Sequence, residues 1–327
     1  MNIWQFTDAT LGRGDQLMLI VVTQVKGSSP GRVGFKMAVT SAGKLFGSIG
    51  GGVMEYKMVE LAKARMTVQA GRPFLKRQVH SPDAGEDSSG LICAGEQVHA
   101  FVPLNANHLG ELQNLRKTLE KGKECVLSLS ESELKVYEKG QNMPAEESHS
   151  KAFTESAAGW SYTETIKPPD TVYIFGGGHI SVPLSQVCRI TGFRVIVLDD
   201  RDSLSTMNSN THADEKRLIN YNDAAKHIAH PPSSYVCIMT VSHASDELIL
   251  GQMTGLHLRY LGMIGSKNKV NKIFSNLLAN GVMENQLKLV DAPMGLAINS
   301  ESPAEIAISI VSRMIMEKNK DKGKAGG

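Results

Sequence analysis

Residues 171–202, TVYIFGGGHISVPLSQVCRITGFRVIVLDDRD, decide the fold. Thr171–Phe175 is a short apolar run rich in β-formers, and Gly176-Gly177-Gly178 interrupts it. A helical stretch follows and stops at Gly192, a good residue to end a helix in the left-handed region. Residues 193–198 form a second apolar run that ends in Asp199-Asp200. Strand, glycine turn, helix, strand and acid make the opening βαβ unit of a doubly wound parallel sheet. Gly176 permits the sharp turn, and Gly178 permits close approach of backbone to a phosphate or to another segment. The helix that follows offers unpaired N–H groups and the positive end of its dipole. Asp199 stands 21 residues beyond Gly178, where dinucleotide sites place an acid against a ribose hydroxyl. Ser181 replaces the third fingerprint glycine, so the pattern predicts the fold and leaves open whether a nucleotide occupies it.

Downstream, strands and helices keep alternating. Strands are expected at 216–219, 235–241, 259–264 and 287–290, and helices at 222–229, 245–255 and 267–280. Ser302-Pro303-Ala304-Glu305 reads as a capping box that opens a helix to residue 317. Ligands of open parallel sheets sit at the carboxyl ends of the strands. Those ends offer Gly176, Gly178 and His179, then Asp199, Asp200 and Arg201, then His243 and Asp246, then Gly265, Ser266 and Lys267, and last Asp291. His179 fits either a ligand contact or a helix cap, and Asp246 either a catalytic acid or an N-cap. Lys267, Lys269 and Lys272 give either a local positive field for a phosphate or a solvated helix face.

A chain of 327 residues is long enough for two cores, and 41% apolar with 21% charged residues describes a globular protein. The expected division is an N-terminal α+β domain with a connecting segment (1–166), a Rossmann-like C-terminal domain (167–318) and a disordered tail (319–327). A net charge of +2 gives no case for nucleic acid, and the apolar run 17–22 is too short to cross a membrane. The N-terminal half reads as a strand at 17–25, a turn-rich loop at 27–34, a hairpin of 35–40 and 45–49, then Gly50-Gly51-Gly52 and a helix at 54–67. Residues 81–90 read as an acidic flexible loop, 97–102 as a strand, 109–120 as a helix, 125–129 and 134–137 as strands, and 139–159 as loop. Pro168-Pro169 marks the linker at 166–170. Four cysteines without paired spacing point to a reducing compartment, the cytoplasm. Cys125, Cys188 and Cys237 lie in predicted elements and belong to the core, whereas Cys93 lies in a loop where a thiol can be reached. No Cys/His spacing matches a metal site.

Several stretches together resemble the XdhC/CoxI family, the xanthine dehydrogenase accessory proteins. They are GSSPGRVGFKM (27–37), GSIGGGVMEYK (47–57) with Glu55 at a helix start, LICAGEQVHAFV (91–102), FGGGHIS (175–181), VLDDR (197–201), TVSHASD (240–246), YLGMIGSKNK (260–269) and APMGL with SPAEIAISI (292–310). Cys-Ala-Gly stands at 93–95 where the family has Cys-Gly-Gly. The resemblance implies a factor that binds the molybdenum cofactor, supports its sulfuration with a cysteine desulfurase and delivers it to a molybdenum hydroxylase such as xanthine dehydrogenase. It also implies a homodimer. Molybdopterin, alone or as a dinucleotide form, carries a phosphate suited to Gly50, Gly51, Gly52, to Gly176 and Gly178, and to the Gly265-Ser266 helix start. A soft thiolate at Cys93 suits molybdenum or a persulfide. Arg32 and Lys36 offer either a phosphate contact or solvent-facing charge. Two other classes stay open on the fold alone: an NAD-dependent oxidoreductase with His179 or His243 as acid/base, and a dinucleotide-sensing regulator.

Overall fold

A capping box starts the chain's first helix, α1 (Ile3–Leu11): Asn2 accepts from the Gln5 N–H, and the Gln5 side chain accepts from the Asn2 N–H. The sequence pattern had given no helix here. The computed structural model describes residues 2–67, 71–80, 95–140 and 151–320. They fall into two compact units, Met1–Pro168 and Pro169–Gly327. Cys93 and the acidic segment 81–90 lie outside the described residues, as do residues 321–327 of the expected tail.

The first unit continues with β1 (Leu17–Lys26), β2 (Lys36–Thr40), β3 (Leu45–Gly47), α2 (Gly52–Thr67), β4 (Phe74–Val79) and β5 (Glu96–Leu104). Then come α3 (Leu109–Glu120), β6 (Cys125–Ser130), β7 (Leu134–Glu138), β8 (Lys151–Ser156) and β9 (Gly159–Ile166). Among the described residues the strands form sheets of order β3-β2-β1-β5-β4 and β7-β6-β9-β8. Central β1 explains its own unbroken apolar run. Leu17, Leu19 and Val21 join the core that includes the second sheet's Leu127 and Tyr162, while Met18, Ile20 and Val22 pack with Met37, Met54 and Met58 under α2. The loop expected at 139–159 is corrected: 151–156 pairs antiparallel with 159–166 as a hairpin, in register Phe153 to Tyr162.

The second unit runs β10 (Thr171–Phe175), α4 (Ser181–Ile190), β11 (Arg194–Asp199), α5 (Ser205–Ser209), β12 (Glu215–Leu218) and β13 (Ser234–Ile238). It ends with α6 (His243–Met253), β14 (Tyr260–Met263), α7 (Lys267–Ala279), α8 (Glu284–Leu287) and α9 (Pro303–Asn319). The sheet is all parallel, in order β12-β11-β10-β13-β14. Each buried strand is apolar on both faces. Val172 and Ile174 pack with Leu184 of α4 and Ile310 of α9, while Tyr173 and Phe175 pack with Ile249 of α6 and Ile273 of α7. Cys125, Cys188 and Cys237 are buried free thiols, and burial raises the pKa of each.

Two further expectations are corrected. The strand expected at 287–290 is absent; α8 takes residue 287, and beyond it the Asp291 N–H donates to the Leu261 carbonyl and its own carbonyl accepts from Met263. That single bridge, with Met294 N–H on the Met263 carbonyl, covers the free side of β14. Residue 319 belongs to α9, whose capping box at Ser302 and Glu305 is formed as expected.

Gly176 is required where it stands. Its φ is +112°, and a Cβ there would overlap the Met239 carbonyl of the neighbouring strand end. A Cβ on Gly178 would meet nothing within 4 Å. Gly176→Ala is therefore expected to cost roughly 2–4 kcal/mol in urea unfolding followed by circular dichroism, and Gly178→Ala within about 0.5 kcal/mol. Equal losses would show that the close approach is not what holds the turn.

Candidate functional site

In the first unit, three stretches separated in sequence meet at one end of the β3-β2-β1-β5-β4 sheet. A Cβ on Gly31 would overlap the Ile49 carbonyl and the Gln97 side chain. One on Gly50 would lie 2.9 Å from the Gly31 nitrogen, and one on Gly95 would overlap the Ser28 carbonyl. Gly50, Gly51 and Gly52 all have positive φ, at 137°, 78° and 70°, so the bend needs three glycines in a row. Glu55, in the first turn of α2, braces it. Its Oε2 accepts from the Ser48 hydroxyl at 2.7 Å, the Ile49 N–H at 2.9 Å and the Gly51 N–H at 3.0 Å. Burial alone would raise the Glu55 pKa, but these hydrogen bonds outweigh it and set the carboxyl below its ordinary value. A Cβ on Gly51 or Gly52 would meet nothing within 4 Å, so the outer face of the bend is open at the start of α2.

Under this bend lies a buried polar chain that the sequence pattern did not disclose. The Gln97 amide donates to the Ser29 hydroxyl and its Oε1 accepts from His99 Nε2 at 2.9 Å, while Ser29 Oγ lies 3.1 Å from His80 Nε2. Gln78, His80, Gln97 and His99 are all buried. Burial pushes His99 down to about 4 and also lowers His80, so both imidazoles are neutral near pH 7. The visible signal was Gln97 and His99 alternating inside an otherwise apolar strand.

In the second unit the carboxyl ends of the strands line up as the topology requires. Asp199 differs from its expected role: its side chain is fully buried, and its oxygens accept from the Gly177 N–H at 2.7 Å and from Arg201 Nε and a terminal nitrogen at 2.8 and 2.7 Å. The Arg201 N–H adds a fourth bond at 3.0 Å. The acid holds the glycine turn instead of facing outward, and the Arg201 and backbone bonds outweigh burial to lower its pKa. Ser181, in the third glycine's place, is buried and donates to the Gly178 carbonyl at 2.7 Å.

Asp246 is neither an N-cap nor exposed. Ser242 caps α6, and Asp246 accepts from the Thr240 N–H at 3.0 Å and hydroxyl at 2.6 Å while pairing with Lys269. Lys269, 12% exposed, is thus a partly buried partner and not part of a solvated face. Ser266 caps α7, with Gly265 against the Lys269 stem and Lys267 exposed. His179 and His243 are exposed on the same sheet edge, and α4 has no side-chain cap at its start. Asp291 accepts from the Tyr260 hydroxyl at 2.7 Å and the Gly295 N–H at 2.9 Å. Among the described residues no group of three His, Cys, Asp or Glu could hold a metal ion, and no helix is long and apolar enough to cross a membrane.

Comparison with known proteins gives consistent likenesses. The family model described as "XdhC and CoxI family" matches residues 10–77, and that described as "XdhC Rossmann domain" matches 172–314. The chain is 24% identical over 339 residues to a protein of Bacillus subtilis (strain 168) described as a probable xanthine dehydrogenase subunit, covering 98% of each. It is 22% identical over 303 residues to the uncharacterized protein YqeB of Escherichia coli (strain K12), covering 92% of this chain and 43% of that one. A crystal structure described as a xanthine dehydrogenase from Bacillus halodurans superposes with a TM-score of 0.78 at 22% identity, over 98% of this chain and 96% of that one.

The buried histidine gives a pH signature. Between the ordinary histidine pKa and about 4, unfolded His99 binds a proton that the folded form refuses, so stability falls as pH drops through that window and is untouched above it. From pH 6.5 to 4 the native chain should lose on the order of 3 kcal/mol more than His99→Gln. Denaturant melts of both at several pH values test this, and parallel curves would refute it.

Proposed function

The chain belongs to the XdhC and CoxI family, and from that premise we propose that it is a molybdenum-cofactor chaperone, supporting cofactor sulfuration and insertion into a xanthine dehydrogenase-type molybdenum hydroxylase. The observation that carries the reading is the meeting of the Gly-Ser-Ser-Pro loop, the Gly50–Gly52 bend and Gly95 at one sheet end. Gly95, which stands at this sheet end, follows Cys93 by two positions in the sequence.

The residues present fit the phosphate end of such a cofactor. The open face at Gly51 and Gly52, which a Cβ would fill, lies at the amino end of a 16-residue helix, where unpaired N–H groups and the dipole favour an anion. Glu55 keeps its carboxylate turned to its own loop and so holds the bend in shape. When bound, the cofactor supplies the molybdenum centre on which the client enzyme depends. Cys93 is assigned the sulfur-handling thiol, with a cysteine desulfurase as donor. Cytoplasmic location and a homodimer complete the proposal. The second unit's glycine turn, with His179, His243 and Lys267 on its open edge, is the second candidate contact region. An NAD-linked oxidoreductase draws less support, because Asp199 spends its carboxylate on Gly177 and Arg201.

Mass spectrometry of small molecules extracted from protein made in cells that produce molybdenum cofactor should find molybdopterin. Cys93→Ala, folded by circular dichroism, should lose most of it. Unchanged cofactor content and sulfuration in that variant would remove Cys93 from the site. Tight NADH binding with turnover in a fluorescence titration would favour the oxidoreductase instead.

A further inference from the structure

We propose that the first unit binds a planar heterocycle bearing a 2-amino-4-oxopyrimidine edge, as in pterins and guanine, in the cavity at Trp4, Lys36, Ser48 and Glu164. The inference rests on the pterin-cofactor reading above and assigns the ring a place. The cavity measures about 770 Å³, ample for a two-ring heterocycle with a substituent, and Ile3, Trp4, Phe35 and Ile166 supply apolar wall.

Its floor is a buried ion pair that no part of the proposed phosphate site uses. Lys36 and Glu164 are each 9% exposed and bonded to one another. Glu164 Oε2 also accepts from the Tyr162 hydroxyl at 3.2 Å. Its other oxygen has the Lys151 ammonium at 3.7 Å, beyond hydrogen-bond reach, so acceptor capacity remains. Gly34, at φ +90°, lets that oxygen and Lys151 come close, since a Cβ would overlap Lys151. Lys36 spends two of its three donors, on Glu164 and on the Gly34 carbonyl at 2.9 Å. Burial, against the pull of Glu164, holds the Lys36 amine below the usual lysine range. The solvent-facing alternative expected for Lys36 is thereby corrected.

An aminopyrimidine edge matches this floor group by group. Its ring N–H and amino group are adjacent donors that converge on the Glu164 oxygen left open by Lys36 and Tyr162, and its neighbouring carbonyl accepts from the third Lys36 donor. Paired Lys36 and Glu164 cancel in charge at the floor, which suits a neutral edge there, while Lys151 and Lys167, which also line the cavity, leave positive charge for an anionic substituent on the heterocycle. The Lys36 ammonium lies 5.9 Å from the Trp4 ring centroid, so the aromatic wall stands beside the polar floor. Ser48 lines the cavity and, through Glu55 and the Gly50 N–H at 3.2 Å, is tied to the glycine bend assigned to the phosphate.

The test titrates the full chain with pterin-6-carboxylate by the ligand's own fluorescence, then with lumazine-6-carboxylate, in which a carbonyl replaces the amino group, and with GMP. Saturable pterin binding is expected, weakened roughly 30-fold or more for the lumazine, whose carbonyl would face the carboxylate. Glu164→Gln should weaken pterin binding comparably, and the lumazine comparison on the native chain keeps the test independent of that variant's folding. GMP binding with the same Glu164 dependence supports the edge and assigns it to a nucleotide source. Equal affinity for pterin and lumazine, or no saturable binding of pterin or GMP, overturns the site. Molybdopterin that copurifies undiminished with Glu164→Gln overturns it too while sparing the chaperone reading; Glu164-dependent pterin binding by a chain that never copurifies molybdopterin does the reverse.

Discussion

Carboxylates turned toward their own backbone brace four of the loops at the candidate sites. Glu55 fixes Ile49 and Gly51, Asp199 fixes Gly177 and Arg201, Asp246 fixes Thr240, and Asp291 fixes Gly295. Glycine bends leave N–H groups without partners, and such groups cannot stay unpaired where water is excluded. A carboxylate answers them with charge-assisted bonds of about 1.5–3 kcal/mol each. An acid committed this way shapes a site without touching its ligand.

The acids also explain which parts of the chain were legible. Strands β1, β10, β11 and β13 announced themselves because each is buried on both faces, and glycines named the bends because no other residue takes those angles at that packing. The βαβ spacing placed Asp199 correctly at the edge, but its partner is a backbone N–H 22 residues away, and backbone leaves no mark in a sequence. The pairing of Lys36 with Glu164 spans 128 residues and crosses from one sheet to the other. The α1 helix is written in the Asn2 and Gln5 box, and at nine residues it leaves only a short periodic pattern. The sequence reads as loop over 139–159 because β8 within it is largely exposed, so its hydrophobic pattern is faint.

The first unit holds more unspent chemistry than its glycine signature suggested. A neutral Ser29, His80, Gln97 and His99 chain lies under the bend, and an ion pair floors the cavity on the other face of the sheet. Period-two alternation separates them. As far as the bulge after Val22, even positions of β1 face α2 and the polar chain's side, while odd positions face the second sheet and the ion pair's side. The polar chain and the ion pair can therefore share one sheet without drawing on the same side chains.

The parallel sheet of the second unit is guarded on both flanks, by backbone on one and by charge on the other. The 291–294 segment takes up the hydrogen bonds that β14 would otherwise offer, and β12 carries Glu215 clasped by Arg194 and Arg217. A strand from another molecule would have to displace the first or bury the charges of the second. Backbone pairing, the usual road from an open sheet to fibrils, is closed to an incoming strand at β14 and opposed by a charged cluster at β12.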